Sequence, residues 1–425
     1  MHPETIAVHG GYRSDPATGA VAVPIYQTTS YQFHDTQHAE NLFALRELGN
    51  IYTRIMNPTC DVLETRLTAL EGGAAALACA SGQAASTLCI LNLCQAGDNF
   101  VSSTDLYGGT WNLFVNTLAS LGVEARFVDP SDPEAFVRAS DARTRCWYAE
   151  TLPNPKLQVF PIREVADLGR AIGVPLIVDN TAAPVICRPF EHGAAVVMYS
   201  TTKFIGGHGT SIGGVVIDGG NFDWQAHAER FPTLNQPDPS YHGAVWVEAA
   251  KPLGPIAYIL RMRVVLLRDI GAAMSPFNAF QFIQGIETLP LRMRAHCANA
   301  IAVANFLAEH RKVETVIFPA LQSGEKRRRA DAYLTGGYGA LVGFELRGGR
   351  DAGRRFIDAL KLVYHVANIG DARTLAIHPA STTHSQLSAE DRLATGVSEG
   401  YIRLSIGIEH SDDILDDLRQ ALDAA

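Results

Sequence analysis

One lysine lies in a segment whose residue types favour chemistry, residues 199–209. The apolar run at 195–198 predicts a buried strand before it. Ser200 and Thr202 come just before Lys203, and a cluster of glycines follows. Burial lowers the pKa of a lysine and makes its amine nucleophilic, hydroxyl groups can donate to an anion, and glycines let the backbone approach a ligand. The segment favours a Schiff-base lysine beside a phosphate, although a solvated lysine after a strand fits it equally well when it is taken alone.

The elements around this lysine predict where it lies. From about residue 60 short apolar runs alternate with segments of helical periodicity, which predicts a mostly parallel sheet with right-handed crossovers. Functional residues in such sheets gather at the carboxyl ends of the strands. Ser81, Tyr107, Asn154, Asp179 and Lys203 each follow a predicted strand closely. Five polar residues at five strand ends favour a functional role for the lysine over a solvated one.

The separate residues suggest parts of a cofactor site. Residues 81–83 open a predicted helix after a strand, where free N–H groups and the helix dipole attract phosphate. Asp179 could face a protonated pyridine nitrogen, or it could cap a helix. Tyr107 could stack on a ring and act as an acid or base, or it could be a half-buried tyrosine beside Gly108.

Length and composition bound the class of protein. The 425 residues predict about two domains, and 47% hydrophobic with 19% charged residues is typical of a globular chain. A net charge of −9 argues against a nucleic-acid-binding protein. The basic run at 326–329 is typical of a solvated helix end.

Cysteine usage and apolar runs predict the setting. The seven cysteines are odd in number and show no C-x-x-C spacing, which argues against a disulfide framework and a zinc site. No basic-then-apolar leader is present at the N-terminus, and no apolar run approaches the roughly 20 residues of a membrane span. The sequence predicts a soluble cytoplasmic protein without a metal.

The two ends of the chain predict further units. Residues 1–60 are polar and turn-rich and need a packing surface, in their own domain or on a partner chain. Residues 255–290 predict a long helical connection, and the remainder predicts a smaller α/β domain. We expect an arm over 1–60, a large domain over 61–265 and a small domain over 266–425. The strand at 402–408 places its isoleucines and Leu404 on one face and Arg403 on the other, where Arg403 could be a surface charge or a fork for a carboxylate.

Several ordered segments carry a family resemblance. They are 24–29 (PIYQTT), 49–54 (GNIYTR), 106–110 (LYGGT), 199–209, 240–243 (SYHG), 378–385 (HPASTTHS) and 403–409 (RLSIGIE). On these segments, which span nearly the whole chain, the protein resembles the Cys/Met-metabolism family of pyridoxal-phosphate enzymes of fold type I. Within that family the likeness is nearest to sulfhydrylases that act on O-acetylhomoserine.

The resemblance implies the cofactor pyridoxal 5′-phosphate and a role for each matching residue. Lys203 would form the Schiff base and shuttle protons, Asp179 would pair with the pyridine nitrogen, and Tyr107 would stack on the ring. Further cofactor contacts would come from Ser81, Gly82, Gln83, Thr181, Ser200 and Thr202.

The family also implies an assembly and a substrate-binding end. Tyr52 and Arg54 would reach the phosphate of the neighbouring subunit in a dimer of dimers. Asn154, Ser381 and Arg403 would hold the α-carboxylate of the substrate.

Two departures from the family pattern bear on the reaction. The segment after Thr181 is one residue shorter than usual, and Gly109 stands where methionine γ-lyases typically carry cysteine. We expect γ-replacement, in which O-acetylhomoserine and sulfide or methanethiol give homocysteine or methionine and acetate. The alternative is γ-elimination from another homoserine derivative, such as a canavanine-like one, to give 2-oxobutanoate and ammonia or homoserine.

Overall fold

The structure is a computed structural model that describes residues 1–382 and 396–425. Thr383, His384 and Ser385 of the segment 378–385 therefore lie outside the described residues. Within the described ranges no helix is long and apolar enough to cross a membrane.

A seven-stranded sheet forms the centre of the larger part of the molecule. Its strands are β1 (Ala75–Cys79), β2 (Asn99–Ser103), β3 (Glu124–Val128), β4 (Thr144–Glu150), β5 (Leu176–Asp179), β6 (Val196–Tyr199) and β7 (Gly214–Asp218). They lie in the order β1-β7-β6-β5-β4-β2-β3. Strand β7 is antiparallel to β1 and β6, whereas the remaining pairs are parallel. The prediction of a mostly parallel central sheet is confirmed.

A five-stranded sheet lies in the C-terminal part. Its strands are β8 (Val313–Ile317), β9 (Leu341–Leu346), β10 (Tyr364–His365), β11 (Leu375–Ile377) and β12 (Tyr401–Ser405), in the order β10-β11-β12-β9-β8. Only β10 and β11 pair in parallel. This sheet has its own apolar core, to which Phe344, Phe356 and Leu418 contribute. The α/β fold with a second, smaller C-terminal sheet agrees with the sequence prediction.

Helices surround both sheets. In the described residues the α-helices are α1 (Pro3–His9), α2 (Thr36–Phe43), α3 (Pro58–Glu71), α4 (Gly82–Leu91), α5 (Gly108–Asn112), α6 (Glu134–Arg138), α7 (Ile162–Ala171), α8 (Pro232–Asn235), α9 (Trp246–Ala249), α10 (Ala257–Arg261), α11 (Arg268–Ile270), α12 (Pro276–Glu287), α13 (Leu289–Glu309), α14 (Gly324–Tyr333), α15 (Gly349–Ala359) and α16 (Ser411–Ala424). Two π-helical segments, Leu113–Leu118 and Met262–Leu267, extend α5 and α10.

The connection predicted over 255–290 is helical but not continuous. Helix α11 ends at Gly271, whose φ of 80° is a left-handed conformation that glycine adopts without strain. Helix α12 then begins at Pro276. The prediction of one long helical connection is therefore wrong at this point, because a glycine end and a proline start divide it.

The N-terminal residues are turn-rich, as predicted, but they also contain two helices. Helix α1 packs on α3, α12 and α13. Asp35 caps α2 by accepting a hydrogen bond from the His38 N–H. The domain boundaries at residues 60 and 265 remain a prediction.

The register of the central strands aligns their carboxyl ends. Glu150 at the end of β4 pairs with Asp179 at the end of β5, and Asp179 pairs with Met198 of β6. The strands are short, β-branched and buried on both faces, as is usual for a parallel sheet covered by helices. Their ends therefore open on a common edge, where the next loop carries Lys203.

Candidate active site

A cavity of about 260 Å³ lies at this edge, between the two sheets. Most of the predicted site residues line it. These are Ser81, Gly82, Gln83, Tyr107, Asn154, Asp179, Thr181, Ser200, Thr202, Lys203 and Arg403. Residues separated by more than 300 positions in the sequence thus meet in one site.

Lys203 is partly buried in this cavity and contacts Asn368, which lies in the loop between β10 and β11 of the second sheet. Its Nζ donates a hydrogen bond to Oδ1 of Asn368 at 2.5 Å. Burial, and then the positive charge of Arg403, lower the pKa of Lys203 to about 8. A substantial fraction of the amine is therefore neutral at mildly alkaline pH, as a nucleophilic lysine requires.

The start of α4 forms an anion cradle. Ser81 caps this helix, since its side chain accepts from the Ala84 N–H at 3.0 Å. The N–H groups of Gly82 and Gln83 belong to the first turn and have no intrahelical acceptor. A Cβ atom on Gly82 would lie 2.6 Å from Cβ of Ser200, so only glycine lets the helix start approach the loop after β6 this closely. The arrangement suits a phosphate group.

Two threonine hydroxyls organise the cradle loops. Thr181 Oγ1 accepts from the Ser200 N–H at 2.8 Å. Thr202 Oγ1 accepts from the Gly213 N–H at 3.1 Å, and it lies 3.2 Å from the Gly213 carbonyl oxygen. These contacts fix the loop that carries Lys203 against its neighbours.

Asp179 is a carboxyl group held at the end of β5. Its Oδ1 accepts from the Thr181 N–H at 2.9 Å. Burial raises the pKa of Asp179 to about 6, while hydrogen bonds from Thr181 act in the opposite direction. A cation in the cavity would favour the ionised form of Asp179.

Tyr107 presents its ring at the cavity wall. The residue is 54% exposed and directly precedes α5. A Cβ atom on Gly109 would lie 2.4 Å from Cε1 of the Tyr107 ring. The glycine noted as a departure from the γ-lyase pattern therefore provides the space that this ring occupies.

The part of the cavity next to Arg403 contains buried polar atoms without partners among the described residues. Arg403 is 8% exposed, and its Nη2 donates to the Asn368 carbonyl oxygen at 2.8 Å. Arg403 Nε and Asn154 Oδ1 are buried and have no hydrogen-bond partner among the described residues. Burial lowers the pKa of Arg403 from its high ordinary value. Unpartnered donors at a buried guanidinium suit a carboxylate ligand.

Three predicted residues do not line this cavity. Ser381 is exposed, and its Oγ lies 2.8 Å from Nδ1 of His378. Arg54 lies with its guanidinium carbon 5.3 Å from the centre of the Tyr52 ring, and it donates to the Arg268 carbonyl oxygen. Ser381, Tyr52 and Arg54 are thus absent from the residues that line the cavity of their own chain, and their roles at the site remain predictions.

Sequence reasoning missed two residues at the site. Glu150 lines the cavity at the end of β4 and is 8% exposed. The strand-end rule that selected Asp179 would have found it. Asn368 lies in the loop after β10, and no local pattern distinguishes it from other loop asparagines.

The cavity fits pyridoxal phosphate. Its phosphate would be held by the α4 start with Ser200 and Thr202, and its aldehyde would meet Lys203. The Gly82 cradle favours an anionic cofactor, the unpartnered Arg403 Nε favours an anionic group of the substrate, and the unpartnered Asn154 Oδ1 favours a hydrogen-bond donor. In the described residues no cluster of histidine, cysteine and acidic side chains could hold a metal ion.

Comparison with known proteins gives consistent matches over the full length. The chain is 54% identical to an O-acetyl-L-homoserine sulfhydrylase of Leptospira meyeri, over 99% of this chain and 96% of the relative. It is 47% identical to a homocysteine synthase of Schizosaccharomyces pombe, over 100% and 99%. A crystal structure from Campylobacter jejuni, assigned as an O-acetylhomoserine (thiol)-lyase and containing N′-pyridoxyl-lysine-5′-monophosphate, superposes with a TM-score of 0.93 at 39% identity, covering all of both chains.

A family model gives the same result. The model described as Cys/Met metabolism PLP-dependent enzyme matches residues 4–423. Together with the site geometry, this match establishes that the chain belongs to the Cys/Met-metabolism family of pyridoxal-phosphate-dependent enzymes.

Proposed function

We propose that the protein is an O-acetylhomoserine sulfhydrylase, which converts O-acetylhomoserine and sulfide to homocysteine and acetate. The observation that carries the proposal is one cavity in which the amine of Lys203 lies between an anion cradle and the fork of Arg403. Relatives named for this reaction, or for homocysteine synthesis, match the whole chain at 44–54% identity. Methanethiol in place of sulfide would give methionine.

In this proposal the chain's own residues bind and orient the substrate. Arg403 holds the α-carboxylate through its planar fork, and the Oδ1 of Asn154 accepts a hydrogen bond from the bound amino acid. The cofactor, when bound, supplies an electron sink next to Cα. Lys203 Nζ takes the Cα proton, and its lowered pKa of about 8 leaves more of the amine neutral than in an ordinary lysine.

The remaining cofactor contacts form a second group. Asp179 holds the ring nitrogen, and Tyr107 covers the ring. The helix start at Gly82 and Gln83 binds the phosphate together with Ser200 and Thr202. Ser81 and Thr181 orient these groups through the hydrogen bonds described above.

We also infer a homo-oligomer, with a dimer as the minimum active unit and a dimer of dimers as the assembly. Tyr52 is 39% exposed, and the apolar residues Phe43 and Leu48 of the same N-terminal arm are 58% and 62% exposed. A partner subunit would cover these side chains and receive Tyr52 and Arg54 at its own phosphate site. The arm over 1–60 and the large and small domains over 61–265 and 266–425 belong to the same proposal.

A cytoplasmic location completes the proposal. The seven cysteines are free and buried, which suits a reducing compartment.

A substrate series tests the reaction. Purified enzyme is given O-acetylhomoserine, O-succinylhomoserine and other γ-substituted homoserines, each with and without sulfide. Thiol product and 2-oxobutanoate are both measured. We expect homocysteine from O-acetylhomoserine only when sulfide is present, with little oxoacid.

The same series contains the contradicting result. Efficient release of 2-oxobutanoate from one substrate, with negligible thiol product from O-acetylhomoserine under saturating sulfide, would make the enzyme a γ-lyase. The cofactor site would stand in either case, since both reactions share Lys203.

A further inference from the structure

Glu150 is a buried carboxyl group in the cavity to which no role has yet been given. It ends β4, is 8% exposed and pairs in register with Asp179 of the adjacent parallel strand. Neighbouring strands lie about 4.8 Å apart, and paired residues point to the same face. Glu150 and Asp179 therefore occupy one edge of the sheet side by side.

The Glu150 side chain is committed to a main-chain group of Tyr107. Its Oε1 accepts from the Tyr107 N–H at 2.6 Å. The carbonyl oxygen of Tyr107 accepts from the N–H groups of Thr110 at 2.9 Å and Trp111 at 3.0 Å. Both main-chain polar groups of Tyr107 are thus hydrogen-bonded, and Glu150 is the partner of the N–H group.

The ring of Tyr107 depends on this main-chain anchor. The residue is 54% exposed, and its ring occupies the space beside Gly109 that a side chain at position 109 would fill. Since more than half of the residue is exposed, the place of the ring depends strongly on where the backbone holds Cα and Cβ. A shift of the Tyr107 backbone would move the ring away from the cavity.

The surroundings of Glu150 favour its protonated, uncharged form. Burial, and then the neighbouring Asp179, raise the pKa of Glu150 well above its ordinary value. A neutral acid still accepts a hydrogen bond through its carbonyl oxygen. It also leaves Asp179 as the carboxylate that can oppose a cationic ring nitrogen.

We propose that Glu150 is a positioning residue, which anchors the Tyr107 backbone and thereby holds the Tyr107 ring over the bound cofactor. It acts through its hydrogen-bond acceptor, and it does not contact the reacting atoms. The inference rests on the proposed function only for its kinetic measurement. The hydrogen bond between Glu150 and Tyr107 is present in the protein without cofactor or substrate.

Two matched variants test whether the hydrogen-bond acceptor of Glu150, and not the rest of its side chain, holds the Tyr107 backbone. Glu150→Gln keeps a carbonyl oxygen at the same position, whereas Glu150→Ala removes it. Hydrogen exchange of the peptide that contains Tyr107 is measured by mass spectrometry in the cofactor-free protein. We expect faster exchange in Glu150→Ala and near wild-type protection in Glu150→Gln.

The holoenzyme supplies a second readout. The circular dichroism of the cofactor's visible band reports how the ring is held, and the dissociation constant for pyridoxal phosphate reports how tightly. We expect Glu150→Ala to reduce the dichroism band and to raise the dissociation constant about 10-fold, the effect of one lost hydrogen bond. Glu150→Gln should restore both, and kcat should follow the same order.

Several outcomes would overturn the proposal. One is unchanged exchange and an unchanged dichroism band in Glu150→Ala. Another is a Glu150→Gln variant as impaired as Glu150→Ala, since the charge and not the acceptor would then matter. If Glu150→Ala does not fold, Glu150→Met, which keeps a side chain of similar length without a carbonyl oxygen, takes its place: exchange and dichroism that change in Glu150→Met but not in Glu150→Gln support the anchor, and wild-type values in Glu150→Met contradict it. Failure of the sulfhydrylase reaction in the wild type would leave the exchange result intact.

Discussion

The carboxyl edge of the large sheet and the loop after β10 contribute to one cavity in different ways. At the sheet edge, Asp179 and the loop residue Thr181 are held by hydrogen bonds within their own neighbourhood. At the other side, Arg403 and Asn368 come from the second sheet and its loop, and Asn368 accepts hydrogen bonds from both Lys203 and Arg403. The first region is assembled within the large sheet, whereas the second depends on how the two sheets pack.

The residues that line the cavity also differ in whether their buried polar atoms have partners. The hydroxyls of Ser81, Thr181 and Thr202 already have protein partners. By contrast, Nε of Arg403 on the second sheet and Oδ1 of Asn154 in the loop after β4 have none among the described residues. Because buried polar atoms are normally paired, the unsatisfied side is the one that a substrate completes. The comparison thus separates a cofactor region from a substrate region.

The largest expected effect is on the residue where the two regions meet. Lys203→Ala removes the amine, so the visible absorption of the lysine-bound cofactor should disappear and kcat should fall by roughly 10⁴-fold or more. Spectra and turnover of the purified variant measure both. Lys251→Ala is the matched control, since Lys251 is exposed and pairs with Glu248 at 2.6 Å. Full turnover in Lys203→Ala would contradict the Schiff-base role.

A mixing experiment asks whether the cofactor region also draws on a neighbouring chain. Arg54→Ala and Lys203→Ala should each be inactive as pure proteins. In an equal mixture half of the dimers are mixed and each regains one intact site, so roughly a quarter of the wild-type activity should return. Activity is measured after subunit exchange has been verified with tagged chains. No recovery would place both residues in the same subunit's site.

The substrate region should respond to Arg403→Lys. Lysine keeps the charge but loses the planar fork, so carboxylate binding should weaken by about 1.5–3 kcal/mol, roughly 10- to 150-fold in KM for the amino acid. Steady-state kinetics at saturating sulfide measures this change. Arg347→Lys is the control, because Arg347 is exposed just after β9 of the same sheet. An unchanged KM in Arg403→Lys would remove Arg403 from the substrate site.

The smallest expected effect is on the pKa of Lys203, which the positive charge of Arg403 lowers. In the cofactor-free protein the pKa of Lys203 is lowered to about 8, first by burial and then by Arg403. Its labelling by an amine-reactive reagent should therefore rise with pH to a midpoint near 8. In Arg403→Gln the positive charge is gone, so the pKa should rise and the midpoint should move to higher pH. A lower or unmoved midpoint would show that Arg403 does not act on Lys203.

The cofactor region could be predicted from the sequence because each of its residues follows its own strand. Ser81, Asp179 and Lys203 can be placed at one edge once the strands are known to be parallel. Glu150 is the last residue of β4, so the same rule places it at this edge. The parallel pattern itself was visible in the spacing of the apolar runs.

The substrate region could not be predicted in the same way. Arg403 was found because strand alternation separates it from its apolar neighbours, but nothing in the sequence fixes how β12 docks on the large sheet. Asn368 lies in a loop whose path is set by tertiary packing, and the role of Ser381 is implied by the family resemblance alone and remains a prediction. The break in the predicted helical connection at Gly271 likewise depends on local backbone conformation.

The separation of the two regions is tested most directly by a crossed measurement on two variants. Ser200→Ala alters the cofactor region and Arg403→Lys alters the substrate region, and both constants are measured for each: the dissociation constant of pyridoxal phosphate and KM for O-acetylhomoserine. We predict that Ser200→Ala raises the cofactor constant about 2- to 10-fold with KM unchanged, and that Arg403→Lys raises KM with the cofactor constant unchanged. If each variant changed both constants to the same extent, the cavity would act as one undivided site and the account would be contradicted.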